Sequence, residues 1–129
     1  MPTLTEHPTL SELQRYVCKM EQERDFAKQT LQDKCLLLGE EVGELFKAVR
    51  KTNGLAMDPN SQVGSISDEL ADILIYLCAI ANRSNIDLEQ AFRDKEQKNQ
   101  LRRWIKPCDS HADEEFVGSQ QVHQWLAEL

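Results

Sequence analysis

Chain breakers are scarce in this sequence: five glycines and four prolines in 129 residues, with aromatics at only 6%. β-Sandwiches with tight turns need more of each, so the composition favours helices. No apolar run approaches the roughly 20 residues that a membrane-spanning helix requires. The opening M-P-T-L-T-E-H-P has neither the basic nor the apolar region of a secretory signal. The four cysteines (Cys18, Cys35, Cys78, Cys108) form no C-x-x-C. Cys35 and Cys78 stand in helical, largely apolar stretches, where a free thiol behaves as a small hydrophobe. Reduced cysteines lead to the expectation of a cytoplasmic protein. Basic charge is also short: 15 Lys and Arg against 22 Asp and Glu leave a net charge of −7. That argues against a nucleic-acid backbone, which is bound by neutralising phosphates with Lys and Arg. Small phosphates remain possible partners where a metal ion screens the charge locally.

What is present is 40% hydrophobic and 29% charged, the balance of a soluble globular protein, and the length suits one domain. The pattern predicts a four-helix bundle over residues 1–107. A first helix runs from about Leu10 to Gln22, with Thr9 and Glu12 as a capping box. A second begins after Asp25 and ends near Lys51, before Asn53-Gly54. Gly54 to Gly64 reads as loop, longer than an ordinary helix–helix turn and therefore of functional interest. The third starts near Ser65 or Ser67 and ends around Asn82 to Asn85. Asp87 with Gln90 opens a fourth that continues to about Arg103, and Pro107 closes the pattern. Residues 108–129 read as a tail whose end forms a small amphipathic docking helix through Val122, Trp125, Leu126 and Leu129.

Two groups of carboxylates stand out. From Leu70 to Ala81 the third helix is apolar on every side except at Asp72. A helix hydrophobic all round is expected to be buried, and a buried carboxylate needs a positive partner. Helix three offers no Lys or Arg before Arg83, and Glu69 adds more negative charge. On helix two, Leu38, Val42, Leu45 and Val49 centre the apolar stripe. Glu41 falls inside that arc, Glu44 toward its edge and Glu40 further out. Glu41/Glu44 and Glu69/Asp72 are thus two i,i+3 pairs, each on one face. A lone E-x-x-E is usually a solvated face; two such pairs in apolar surroundings call for a cation. Oxygen-only donors suit Mg²⁺ or Mn²⁺ rather than zinc. A di-iron bundle site would need Glu-x-x-His, and none of His7, His111 and His123 follows a Glu by three.

G-E-E-V-G-E-L (Gly39 to Leu45) followed by D-E-L-A-D-I-L-I-Y-L (Asp68 to Leu77) resembles the E-E-x-x-E and E-x-x-D motifs of the all-α nucleoside triphosphate pyrophosphohydrolases. The likeness extends through I-D-L-E-Q-A-F and the Lys95, Asn99, Arg102 spacing. It spans roughly Arg24 to Trp104 and is closest to the MazG-like and dCTP pyrophosphatase branch. The resemblance implies Mg²⁺-dependent cleavage of a (deoxy)nucleoside triphosphate between the α and β phosphates, with Mn²⁺ as a substitute ion. It implies Glu41, Glu44, Glu69 and Asp72 as metal ligands, and Glu40 with Glu41 as catalytic carboxylates. Phe26 and Tyr76 would line the base pocket, with Lys95, Asn99 and Arg102 toward the phosphates. It further implies a homodimer or homotetramer and a nucleotide-pool housecleaning role with dCTP as the candidate substrate, while base preference stays open because Lys51 stands where some relatives carry an aromatic. Phosphoribosyl-ATP pyrophosphohydrolase and dUTPase are rivals within the class. A catalytically silent helical interaction module is the rival outside it.

Overall fold

The protein was analysed as a computed structural model that describes residues 1–107; the expected tail helix lies outside the described residues. Every regular element among the described residues is an α-helix: α1 (Leu10–Glu23), α2 (Leu31–Thr52), α3 (Ile66–Arg83) and α4 (Leu88–Gln100). The family of helices is therefore the expected one, and the differences lie at the ends.

Each start has a local chemical cause. The Thr9 hydroxyl accepts from the Glu12 N–H at 3.2 Å, and the Thr9 N–H donates to the Glu12 carboxylate at 2.6 Å. This reciprocal box satisfies two otherwise unpaired helix donors. Thr30 and Asp33 repeat the arrangement at α2, at 3.1 and 2.7 Å. That box fixes at Leu31 a start that the sequence pattern bounds only as after Asp25. Between the helices the backbone turns through Asp25, whose φ of 58° is left-handed. Ser65 caps α3 through the Asp68 N–H, and Asp87 caps α4 through the Gln90 N–H. α4 ends at Gln100, so Arg102 lies beyond the helix and the expected Lys95–Asn99–Arg102 helical stripe is cut short.

α3 is the central element, packing on α2 and on α1, while α4 packs chiefly on α1. The core is thin. Val17, Met20, Cys78 and Ala79 form its buried centre, with Leu13, Tyr16, Ile75 and Leu88 against it. Polar ties supplement it: the Gln14 amide donates to Asn82 Oδ1 at 3.2 Å and to the Ile86 carbonyl at 2.8 Å. Gln14 Oε1 accepts from the Leu88 N–H at 2.9 Å, so one side chain links α1 to the α3–α4 connection.

A buried ionic cluster joins α1, α2 and α3. Glu21 meets Lys34 Nζ at 2.6 Å and Arg83 Nη1 at 2.9 Å. Glu21 and Lys34 are both buried. Burial pushes the Glu21 carboxyl upward, but hydrogen bonds from Arg83 and Lys34, with their charges, outweigh it and hold the group below the usual carboxylate range.

α3 is not enclosed all round. Leu70, Leu74 and Leu77 form a stripe facing away from its packed side, exposed to 51, 38 and 41%. Asp72 is not buried either, and the buried carboxylate of this helix is Glu69. The sequence overstated the burial because hydrophobicity on every face was equated with packing on every face. Among the described residues no helix is long and apolar enough to cross a membrane.

Removing Glu21 would strand two cations in a desolvated site. We expect Glu21→Ala to lower unfolding free energy by about 3–5 kcal/mol near neutral pH, measured by chemical denaturation. The folded Glu21 pKa lies below the unfolded one. Its stabilisation is therefore complete above the unfolded value and is lost as the pH falls through the folded value. The gap between wild type and variant should close in acid.

Candidate active site

α2 and α3 run antiparallel along a seam lined with ionisable groups. On α2, Lys34, Glu41 and Ala48 share one line at seven-residue spacing, and Lys34 and Ala48 are its two buried residues. On α3, Glu69, Asp72, Tyr76, Ala79 and Arg83 follow a three-then-four spacing on the opposing side. The beginning of α2 therefore meets the end of α3 at Lys34 and Arg83, while Glu41 meets the beginning of α3.

There the carboxylates converge. Glu41, Glu69 and Asp72 each place one oxygen within 4.8 Å of the others. Burial, a carboxyl–carboxylate hydrogen bond with Glu69, and the charges of Asp72, Glu69 and Glu44 push the Glu41 carboxyl up. Like charges held this close repel, and a raised pKa is the response when no cation is present to oppose them. The donor set is oxygen-only, which suits a hard divalent ion. Glu44 contributes charge but is turned aside: its carboxylate pairs with Lys47 Nζ at 3.1 Å, and it is outside the three-oxygen group. Glu40 is exposed beside Gln29, Asp33, Leu36 and Leu37, around an open cavity of about 650 Å³.

Gly64 closes the inter-helix loop directly over this cluster. A Cβ at that position would run into the Glu69 carboxylate. The residue ahead of α3 is thus tied to the placement of a site carboxylate, and the loop that the sequence singled out for its length reaches the site through it.

Tyr76 follows Asp72 on the seam. Burial, then the charges of Glu41, Asp72, Glu40 and Glu21, push its hydroxyl pKa up, so the phenol stays protonated. Lys34 Nζ lies over both the Tyr76 and the Phe26 ring, 5.5 Å from each centroid. Phe26 is 42% exposed, on the turn between α1 and α2. Sequence reasoning singled out both aromatics and missed the lysine between them. The available signal was its position: Lys34 lies on the line of Leu38, Glu41, Leu45 and Ala48.

The α4 residues stand differently. Lys95 and Arg102 are exposed, and among the described residues neither side chain pairs with a carboxylate. Asn99 donates through Nδ2 to Glu96 at 3.4 Å, while its Oδ1 is enclosed without a donor among the described residues. Because α4 packs chiefly on α1, one chain does not wrap these groups around the carboxylates.

Fold and site together define a helical protein with an oxygen-donor cluster between two antiparallel helices, flanked by an aromatic pair. Residues 29–104 match the MazG nucleotide pyrophosphohydrolase domain, and the chain belongs to that family. It is 38% identical over 101 residues to dCTP pyrophosphatase 1 of Mus musculus, covering 74% of this chain and 59% of that protein. The human dCTP pyrophosphatase 1 is 38% identical over 104 residues, with the same two coverages of 74% and 59%. The chain thus spans about three fifths of the length of these relatives. Among solved structures, iMazG from Vibrio DAT 722 is similar at TM-score 0.53 and 31% identity, covering 73% of this chain and 100% of that one. A cyanophage S-2L MazG-like pyrophosphohydrolase, solved bound to dGDP and three catalytic Mn²⁺ ions per active site, shares the fold. Its TM-score is 0.59 at 24% identity, covering 81% of this chain and 90% of that one.

The folded Glu41 pKa lies above the unfolded one, so its favourable contribution is complete below the unfolded value and is lost as the pH rises through the folded value. In chelator, Glu41→Gln should melt above wild type at about pH 8, with the two curves converging in mild acid. A variant that melts lower at the alkaline end would remove the case for a repelling cluster.

Proposed function

We propose that the protein hydrolyses (deoxy)nucleoside triphosphates to the monophosphate and pyrophosphate, with Mg²⁺ as the working ion and Mn²⁺ as a substitute. The convergence of Glu41, Glu69 and Asp72 within 4.8 Å, in a chain of the MazG nucleotide pyrophosphohydrolase family, carries this reading. The Mn²⁺ and dGDP of the cyanophage relative and the dCTP named for the mammalian relatives support it. The role that follows is housecleaning of the nucleotide pool, with dCTP as the first substrate to test.

Each residue has a task that its position permits. Glu41, Glu69 and Asp72 hold the cation, with Glu44 joining them by releasing Lys47. When bound, the ion neutralises phosphate charge and makes a coordinated water acidic enough to act near neutral pH. Glu40 is solvent-accessible next to the ligand set on α2 and serves as the carboxylate that orients the attacking water and takes its proton. Phe26 and Tyr76 receive the base, their rings offering apolar faces for it. The α–β phosphoanhydride bond breaks, and its electron pair leaves with pyrophosphate.

Lys95, Asn99 and Arg102 are the groups suited to the polyphosphate, Arg102 through its planar fork. The placement of Lys95 and Asn99 on α4, which packs chiefly on α1, with Arg102 just past its end, supports a site completed by association into a homodimer or homotetramer. The Leu70, Leu74 and Leu77 stripe, exposed to 51, 38 and 41%, gives that association an apolar surface.

Pyrophosphate release from a panel of dNTPs and NTPs with Mg²⁺ tests the activity. Glu41→Gln or Asp72→Asn should reduce release by roughly a hundredfold or more while helicity by circular dichroism is retained. Wild type inactive on the whole panel, with no divalent-ion binding by calorimetry, would instead favour a silent interaction module. Leu74→Asp should shift the oligomer toward monomer in light scattering and lower turnover with it; an unchanged mass would place the interface elsewhere.

A further inference from the structure

Phe26 is held from three directions by one network. Its N–H donates to the Glu21 carbonyl at 2.8 Å. Its carbonyl accepts from Arg83 Nη2 at 3.2 Å, while Arg83 Nε donates to the Gln29 carbonyl at 2.9 Å on the same turn. Its ring lies 5.5 Å from Lys34 Nζ, which is equally close to the Tyr76 ring centroid. Both cations converge on the one Glu21 carboxylate, at 2.6 and 2.9 Å.

The charge count is unusual for a device that only stabilises. One carboxylate facing two cations leaves a surplus positive charge in a site where the Lys34 side chain is 3% exposed. A buried ion pair is often replaceable by well-packed apolar residues without loss of stability. Lys34 is more than a partner for Glu21, because Arg83 already occupies the other carboxylate oxygen. What Lys34 adds is its closeness to two aromatic rings, 5.5 Å from each centroid. A desolvated ammonium near ring faces is attracted to both, which restrains their separation and tilt. Phe26 sits on a turn and is 42% exposed, so Lys34 is a restraint on a ring that the protein covers only in part.

We infer that Lys34 is a specificity-determining positioning residue: anchored by Glu21, it sets the spacing of the Phe26–Tyr76 slot, and through it the discrimination between nucleobases. The inference rests on the reading of those two aromatics as the base site. Lys34 itself takes no part in the hydrolytic step. Arg83 acts alongside it by fixing the backbone of the turn that carries Phe26.

Steady-state pyrophosphate release from dCTP, dTTP, dUTP, dATP and dGTP tests this on wild type, Lys34→Met and Lys34→Arg, with thermal melts of all three. Met replaces the apolar stem of Lys without the ammonium and leaves Glu21 held by Arg83. Lys34→Met should raise KM for the preferred triphosphate by roughly tenfold while kcat stays within about threefold, the pattern of lost substrate binding rather than lost chemistry. The spread of kcat/KM across the five bases should narrow, and Lys34→Arg should recover part of it. If Lys34→Met does not fold, Arg83→Lys is measured in its place. It keeps a cation on Glu21 but cannot serve both loop carbonyls, and should narrow the same spread. An active wild type whose folded Lys34 variant (or, failing that, Arg83 variant) retains its KM and base preference, with only a lower melting temperature, overturns the inference alone. A wild type that releases pyrophosphate from none of the five overturns the underlying reading of the site, and the inference with it.

Discussion

The contact between α2 and α3 is the constraint around which the rest is arranged, because its packed face carries ionised side chains where helical proteins usually carry hydrocarbon. Charges along such a seam must be compensated within it, since water reaches them poorly and the local dielectric strengthens every interaction. The chain does this by segregation. Cations gather where α2 begins and α3 ends, around Glu21, and carboxylates gather where α3 begins. Tyr76 stands between the two groups, feeling the negative charge of both Glu41 and Glu21. The two ends differ in kind. In the Glu21 cluster opposite charges meet directly, so it can fix the relative placement of α1, α2 and α3. The Glu41 cluster lacks internal compensation, and that deficit is what makes it a site for something positive.

Much of this was legible in the residues before any coordinates. Caps follow local rules, so Thr9, Ser65 and Asp87 announce their helices directly. The paired carboxylates were legible because helical spacing alone puts Glu69 and Asp72 on one face, opposite an arc containing Glu41. What could not be read depends on tertiary partners. The start of α2 is bounded by the sequence only as after Asp25, because Thr30 pairs with Asp33, a shorter acid than the Glu or Gln usual in a capping box. Lys34 was missed because a lysine on an amphipathic helix normally extends to solvent, and only its contact with Glu21, far away in sequence, reverses that. Asp72 was judged buried from the apolar residues around it, yet whether an apolar face is covered depends on neighbours that sequence periodicity does not name.

That last difference bears on how the site is built. A core of a few small side chains holds α3 on one side only, and the leucine stripe opposite remains open. Each large apolar side chain moved from water into a packed interface contributes about 1.5–3 kcal/mol. Covering this stripe in an oligomer would therefore add stability comparable to much of what a thin core supplies. The same act would rigidify the first two turns of α3, which carry Glu69 and Asp72, so the free energy that stabilises the fold would also order the carboxylates.

Stability and chemistry are coupled at those residues in opposite directions. In the bare protein, Glu41, Glu69 and Asp72 repel, and part of the folding free energy is spent holding them together. A ligand that binds only the folded arrangement returns that free energy in proportion to the logarithm of its concentration over its dissociation constant. Glu21 and its two cations work the other way, stabilising the fold without any ligand. Because Arg83 and Lys34 reach from that cluster to the Phe26 turn and the Tyr76 ring, the ligand-independent half of the seam is the part that holds the aromatics. Base recognition would then be preformed while cation binding is the step that completes the site.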